Sequence, residues 1–165
     1  MLQERRERLS ATHCLACATN RWQAARMTGP VEREAACACG QLRIRTTGAP
    51  SIVSSCHCLE CQRRTGSLFG AAAFFPRAGI AAIEGERSTW RRQADSGAWL
   101  AFHFCPKCGS TVFWENERLP DIVSVAVGAF ADPSFPPPQD SVYDCRRHSW
   151  VQLPPGIQSY DKDPP

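Results

Sequence analysis

The sequence has no long hydrophobic run. No apolar stretch approaches the roughly 20 residues that a bilayer-spanning helix needs. The charged start MLQERRERLS leads into no apolar stretch of the kind a secretory leader carries. Methionine is scarce, with Met1 and Met27 the only two. Sustained helical periodicity is nearly absent, and no repeat of solenoid length occurs. One-sided charge is missing as well, the formal net charge being +3. These absences leave a non-membrane chain expected in a cytoplasmic, reducing setting, where cysteines more often ligate metal than pair as disulfides.

What is present fits one globular domain. A chain of 165 residues can bury a real core but is short for two domains, and 43% hydrophobic with 21% charged residues is ordinary. The first part differs from the rest. ERRER is a solvated charge run, and Thr12 to Arg26 shows neither alternation nor a helical stripe. Residues 1–33 therefore read as an N-terminal extension, disordered or translated from a misassigned start, with Met27 shortly before the patterned region. Residues 34–165 read as the domain.

That domain is expected to be mainly β. Gln41 to Thr47 alternates apolar and polar residues, Ser51 to Ser54 is a short candidate strand, and Gly70 to Phe75 is another, stopped by Pro76. Trp99 to Phe104 and Thr111 to Trp114 flank CPKCGS and read as a hairpin whose turn is a knuckle. Ile122 to Val127 is β-branched and bounded by Asp121 and Gly128. Asp132 to Pro138 is too rich in proline for a sheet interior, and a turn or two of helix is allowed from Leu59 to Thr65. Lone Cys145 falls in a predicted strand. Trp150, ahead of Val151 and Leu153, is expected to cap the core.

Ten cysteines stand at 14, 17, 37, 39, 56, 58, 61, 105, 108 and 145. CACG (37–40) and CPKCG (105–109) share a design, two cysteines close together and then a glycine. Such a knuckle aims both thiolates at one metal, and the glycine permits the tight backbone behind them. Two knuckles supply Cys37, Cys39, Cys105 and Cys108, a closed four-thiolate zinc site. Cys56, Cys58 and Cys61 remain, three sulfurs with no evident fourth, which is the layout of catalytic zinc with an exchangeable position. Other assignments stay open: one knuckle could pair with part of the triplet, or His103, His148 or Cys145 could close the second site. His57 is a poor ligand because neighbours in an extended CHC point opposite ways. Cys14 and Cys17 lack a following glycine and a partner pair and read as incidental. With seven thiolates around two zinc ions the formal +3 falls to zero, so the basic balance is poor evidence for a nucleic-acid partner.

These motifs carry a resemblance. CACG, CHCLECQRRTGS, FCPKCGS and W-V-x-L-P (150–154), in that order, resemble the glutathione-dependent formaldehyde-activating enzyme (GFA) family, which includes the centromere protein V-like domains. Gln41-Leu42, FGAAAFFPRAG (69–79) and Gly85-Glu86 agree with it, and the likeness runs from about Glu34 to Tyr160. The resemblance implies a single β-tent domain of zinc-ribbon-like sheets with two zinc ions. Cys37, Cys39, Cys105 and Cys108 would hold the structural ion, and Cys56, Cys58 and Cys61 the catalytic one. It also implies carbon–sulfur lyase chemistry on a small-molecule thiol such as glutathione and a small aldehyde, giving S-hydroxymethylglutathione. The family commonly has histidine nine residues before the late tryptophan, where this chain has Ser141.

Three thiolates on one zinc leave a net negative site that nearby cations would relieve, and Arg63 and Arg64 follow the triplet directly; solvated surface is the bland alternative for both. Two rival readings are a non-catalytic structural zinc module for protein interaction and a nucleic-acid-binding zinc ribbon. The second rests on QRR, WRRQ (90–93) and CRRH (145–148), patches that are short, separated and almost without interleaved aromatics.

Overall fold

The computed structural model describes residues 31–164, so the expectation for residues 1–33 falls almost wholly outside the described residues. Among the described residues no helix is long and apolar enough to cross a membrane. Over the described residues the chain is mainly β, with one short α-helix, α1 (Leu59–Thr65). Strands β1 (Glu32–Ala36), β2 (Arg43–Thr47) and β5 (Ile80–Glu84) make an antiparallel three-stranded sheet in the order β1-β2-β5.

A second sheet has eight strands: β3 (Ile52–Cys56), β4 (Gly70–Pro76), β6 (Ser88–Gln93), β7 (Trp99–Phe104), β8 (Thr111–Asn116), β9 (Ile122–Ala126), β10 (Asp140–Val142) and β11 (Gln158–Ser159). Their order is β11-β10-β3-β4-β9-β8-β7-β6. All neighbours run antiparallel except β10, which lies parallel to both β3 and β11.

Strand register sorts the side chains of the large sheet into two faces, because successive residues of a strand point opposite ways. One row across it reads His103, Phe113, Val125, Ala73 and Val53. This face packs against Ala35, Leu42 and Ile44 around the small sheet, with Phe75, Val123 and Phe130 filling the same core. Phe75 and Phe113 are essentially inaccessible, and burying each contributes roughly 1.5–3 kcal/mol. The next row, one residue along, reads Trp90, Phe102, Trp114, Ser124, Phe74 and Ile52. Among the described residues no sheet covers that face. It is concave and forms a cavity.

The strands expected from the sequence lie where they were placed, and the helix spans the allowed residues. Strands β1, β5, β6, β10 and β11 were not foreseen. Glu-Arg-Glu-Ala-Ala in β1 has no β-branched residue, and β6 is an edge strand whose exposed polar residues need no buried face. Two expectations are corrected. Cys145 is exposed in a single 3-10 turn, Asp144–Arg146, because Tyr143 takes a left-handed backbone (φ 56°) that ends β10. Trp150 is 68% exposed and caps nothing; its ring meets His148 edge-on.

Candidate metal centre and cavity

The first cysteine cluster joins two turns far apart in the chain. After β1, Cys37 N–H donates to the Leu42 carbonyl, Gly40 N–H returns to the Cys37 carbonyl at 2.8 Å, and Gly40 takes φ 73°. Between β7 and β8 the pattern repeats: Gly109 N–H donates to the Cys105 carbonyl at 2.8 Å and Gly109 takes φ 74°. Both glycines do what their position in the motif demands. Ala38 N–H donates to Ser110 Oγ at 3.3 Å and ties the two turns together.

The four sulfurs of Cys37, Cys39, Cys105 and Cys108 lie within 4.8 Å of one another. Cys37 to Cys39 is 3.6 Å and Cys39 to Cys105 is 3.7 Å. Four sulfurs at about 2.3 Å from one tetrahedral zinc stand about 3.8 Å apart, so this set has the dimensions of a zinc tetrahedron. Leu42 N–H donates to Cys37 Sγ at 3.2 Å, an outer contact that orients a thiolate ligand, and the Cys105 thiol donates to Gln41 Oε1 at 3.2 Å. Cys108 is lowered to about 5, first by the Ser110 hydroxyl and then by backbone N–H groups.

The second cluster is local. Cys56 ends β3, Cys58 is the N-cap of α1, and Cys61 sits one turn into it. Cys61 N–H donates to Cys58 Sγ at 3.3 Å, which both caps the helix and steadies a thiolate. The helix closes on Gly66, left-handed at φ 64°, whose N–H donates to the Gln62 carbonyl at 2.9 Å. The sulfurs of Cys56, Cys58 and Cys61 lie within 4.8 Å of one another. Cys58 is pulled down to about 2, by Cys56 and then Cys61. Cys56 is driven far up by Cys58 and Cys61 and then by burial. Cys61 is eased by Cys56 but pushed up on balance by Cys58 and burial. Three bare sulfurs thus hold one negative charge readily and resist the rest; a divalent cation removes that resistance, and soft thiolates suit zinc.

Each open candidate for a fourth ligand is engaged elsewhere. His103, buried on the opposite face of the sheet, has Nδ1 3.0 Å from Thr89 Oγ1 and Nε2 3.0 Å from Glu115 Oε2. His148 Nε2 is 3.2 Å from Gln62 Oε1, and Cys145 Sγ lies 3.0 Å from the Asp161 carbonyl oxygen. His57 is buried against Phe69, and burial pushes its pKa down. It is not among the converging ligand atoms. Cys14 and Cys17 lie outside the described residues.

The triplet opens into the cavity on the concave face, about 440 Å³ in volume. Its walls are chiefly apolar, with Ile52, Phe74, Leu100, Phe102 and Trp114 beside the cysteines. Phe102 lies 5.7 Å from Trp90 on one side and 5.7 Å from Trp114 on the other. Arg64 lies over this row, its guanidinium carbon 5.1 Å from the Phe102 centroid and 4.7 Å from that of Trp114. It also eases ionisation of Cys61. Arg63 turns to solvent and pairs with Glu60 at 2.6 Å. The structure therefore brings Arg64, and not Arg63, to the cavity.

Asp140 and Val142 line the cavity as well, and Ser141 between them does not; it is fully buried and its hydroxyl donates to Asp144 at 3.0 Å. The residue at position 141 takes no part in the cavity wall. Sequence reasoning missed Asp140, Phe102 and Trp114. The alternation of β7 and β8 places the two aromatics on one face, but nothing local marks Asp140.

The family described as glutathione-dependent formaldehyde-activating enzyme matches residues 32–146. Among solved structures, the crystal structure of a Rhodobacter sphaeroides protein is similar, at 17% identity over 77% of this chain and 98% of that one, with a TM-score of 0.44. No curated protein matches.

Proposed function

Because the chain belongs to the glutathione-dependent formaldehyde-activating enzyme family, we propose that it is a zinc-dependent carbon–sulfur lyase-type enzyme. It would join a small aldehyde to a small-molecule thiol, as in the formation of S-hydroxymethylglutathione. The observation that carries this reading is the contrast between the clusters. Four sulfurs close on one another at the knuckles, whereas three converge at the cavity with no fourth histidine, cysteine or carboxylate ligand among the described residues.

In this reading Cys37, Cys39, Cys105 and Cys108 hold a structural zinc, and Cys56, Cys58 and Cys61 hold a catalytic one. Zinc at the triplet would supply Lewis acidity, favouring the thiolate of an incoming thiol or polarising an aldehyde oxygen. The chain's own residues do the rest. Cys61 N–H holds Cys58 Sγ in place. Arg64 offsets negative charge beside Cys61. The apolar walls limit water around the reacting atoms, which strengthens each electrostatic contact. The chemistry balances without an oxidant: the sulfur–carbon bond forms as the carbonyl π bond opens, and the thiol proton ends on the new hydroxyl.

Formaldehyde and thiols also combine unaided, so the test compares rates. Exchange between free formaldehyde and its glutathione adduct, followed by NMR, should be faster with protein than without, and Cys58→Ser should abolish the excess. No acceleration, together with metal content indifferent to thiols, would favour the rival reading of a structural zinc module.

A further inference from the structure

Among the described residues four carboxyl side chains line the cavity, and three of them are engaged. Glu60 pairs with Arg63 at 2.6 Å, Asp95 with Arg146 at 3.9 Å, and Asp163 accepts from the Tyr143 hydroxyl at 3.1 Å. Asp140 is the exception. It is only 8% exposed, and its Oδ1 is buried without a partner among the described residues. A buried carboxyl oxygen with no partner costs stability, so one kept on a chiefly apolar wall points to a use inside the cavity.

The scaffold makes no use of that side chain. Backbone holds β10, which pairs with β3 on one side and β11 on the other, while Ser55 Oγ donates to the Asp140 carbonyl at 3.2 Å. The strand instead aims the carboxyl group. Asp140 stands opposite Ser54 and Val142 opposite Cys56 in the parallel β10–β3 pair. Asp140 is therefore on the triplet's face of the sheet, two residues or about 7 Å along from Cys56. That spacing leaves room for the reacting atoms of one thiol and one aldehyde between the sulfurs and the carboxylate.

The proposed reaction needs a proton carrier at this place. A proton leaves the thiol sulfur and ends on the new hydroxyl, and the apolar walls keep water from carrying it. Tyr143 lines the cavity too, but burial and then Asp163 push its hydroxyl pKa far up, so it keeps its proton.

We propose that Asp140 is a catalytic residue, the proton carrier of this site. This rests on the proposed thiol–aldehyde chemistry and adds the group that moves its proton. Asp140 Oδ1 takes the proton as the S–H bond breaks. The sulfur electron pair forms the bond to the carbonyl carbon, the π pair moves onto oxygen, and Asp140 returns the proton to that oxygen. The carboxylate is regenerated, and nothing is oxidised or reduced. Breakdown of the adduct runs the same steps backwards.

The test follows exchange between formaldehyde and its glutathione adduct by NMR with the zinc-loaded full chain. Zinc content and glutathione affinity, the latter by calorimetry, are measured for every variant. Asp140→Asn, nearly the same in shape, should lower the protein-dependent rate about 100-fold, with zinc content unchanged and affinity within two-fold. Asp140→Ala leaves space where the carboxylate stood. Added formate should enter it and raise that variant's rate about ten-fold or more, in proportion to formate concentration, while leaving wild type and Asp140→Asn unmoved. A merely structural aspartate gives no such rescue. An Asp140→Asn protein that keeps more than half the wild-type rate, or an Asp140→Ala protein indifferent to formate, overturns the assignment of Asp140 and leaves the thiol chemistry standing. A wild-type protein that does not accelerate exchange overturns both.

Discussion

Cys39 Sγ stands 3.7 Å from Cys105 Sγ, across 66 residues of chain. Two turns that share no hydrogen-bonded ladder are held together at this point, one leaving the small sheet and one inside the large sheet. A metal binding all four sulfurs would therefore be a cross-link between sheets, whereas the triplet cross-links only a strand end and the first turn of its own helix.

That difference predicts unequal consequences of losing a ligand. Cys105→Ser should lower the melting temperature by more than about 10 °C or remove the cooperative transition, since structural zinc contributes folding free energy outright. Cys58→Ser should leave the transition nearly in place and lose one equivalent of zinc. Calorimetry with metal analysis reads both. Equal loss of both metals in either variant would refute the division.

Chelation should divide the same way. Under a mild chelator one zinc is expected to leave from the triplet at the cavity, and glutathione should change the rate of that loss. The knuckle zinc should stay until the protein unfolds. Metal release followed by a chromogenic chelator, with and without glutathione, reads this; one release phase insensitive to glutathione would count against it.

Gly85 supports the closed cluster from outside. It takes φ 91°, and a Cβ there would overlap the Gln41 carbonyl oxygen and stand 2.7 Å from Gln41 Nε2. The Gln41 amide in turn lies beside Cys105 Sγ. Gly85→Ala is expected to destabilise by about 2 kcal/mol or more, through left-handed strain and displacement of backbone rather than of a flexible side-chain tip. An unchanged urea midpoint would sink this.

Acid sensitivity should depend on Glu115. Burial alone would raise its pKa, but the hydrogen bond from Arg77 and then that from His103 outweigh it and hold the carboxyl below the ordinary range. A carboxyl depressed in the folded state stabilises above its unfolded pKa, and that stabilisation is lost as pH falls through the folded value. Glu115→Gln should therefore cost about 1 kcal/mol or less at neutral pH, the group being partly exposed and screened. The gap to wild type should close below about pH 4.5, the value the group has when unperturbed. Urea midpoints against pH for both proteins give the comparison; a gap that persists in acid would contradict it.

Much of this was legible in the sequence because it is local. A knuckle needs two cysteines, a glycine and a turn, all within a few residues, so CACG and CPKCG announce both ligands and backbone. The triplet is equally short-range: one strand end, one cap, one helical turn, and the helix from Leu59 to Thr65 was readable from the same stretch. Alternation located β2, the flanks of CPKCG marked β7 and β8, a β-branched run between Asp121 and Gly128 marked β9, and the stop at Pro76 marked the end of β4.

Tertiary structure decided the rest. Only the pairing of β6, β7, β8, β9, β4 and β3 lines Trp90, Phe102, Trp114 and Phe74 into one wall, and a one-residue slip in any pair would turn those residues inward. The helix's orientation against Gly70 sends Arg64 to the cavity while Arg63, its neighbour, meets solvent. Asp140 reaches the site through a three-residue parallel strand too short to leave a pattern. Ligand sets are written in spacings of two or three residues, which backbone geometry fixes at once; the cavity depends on register among segments far apart in the chain, which no short window of sequence contains.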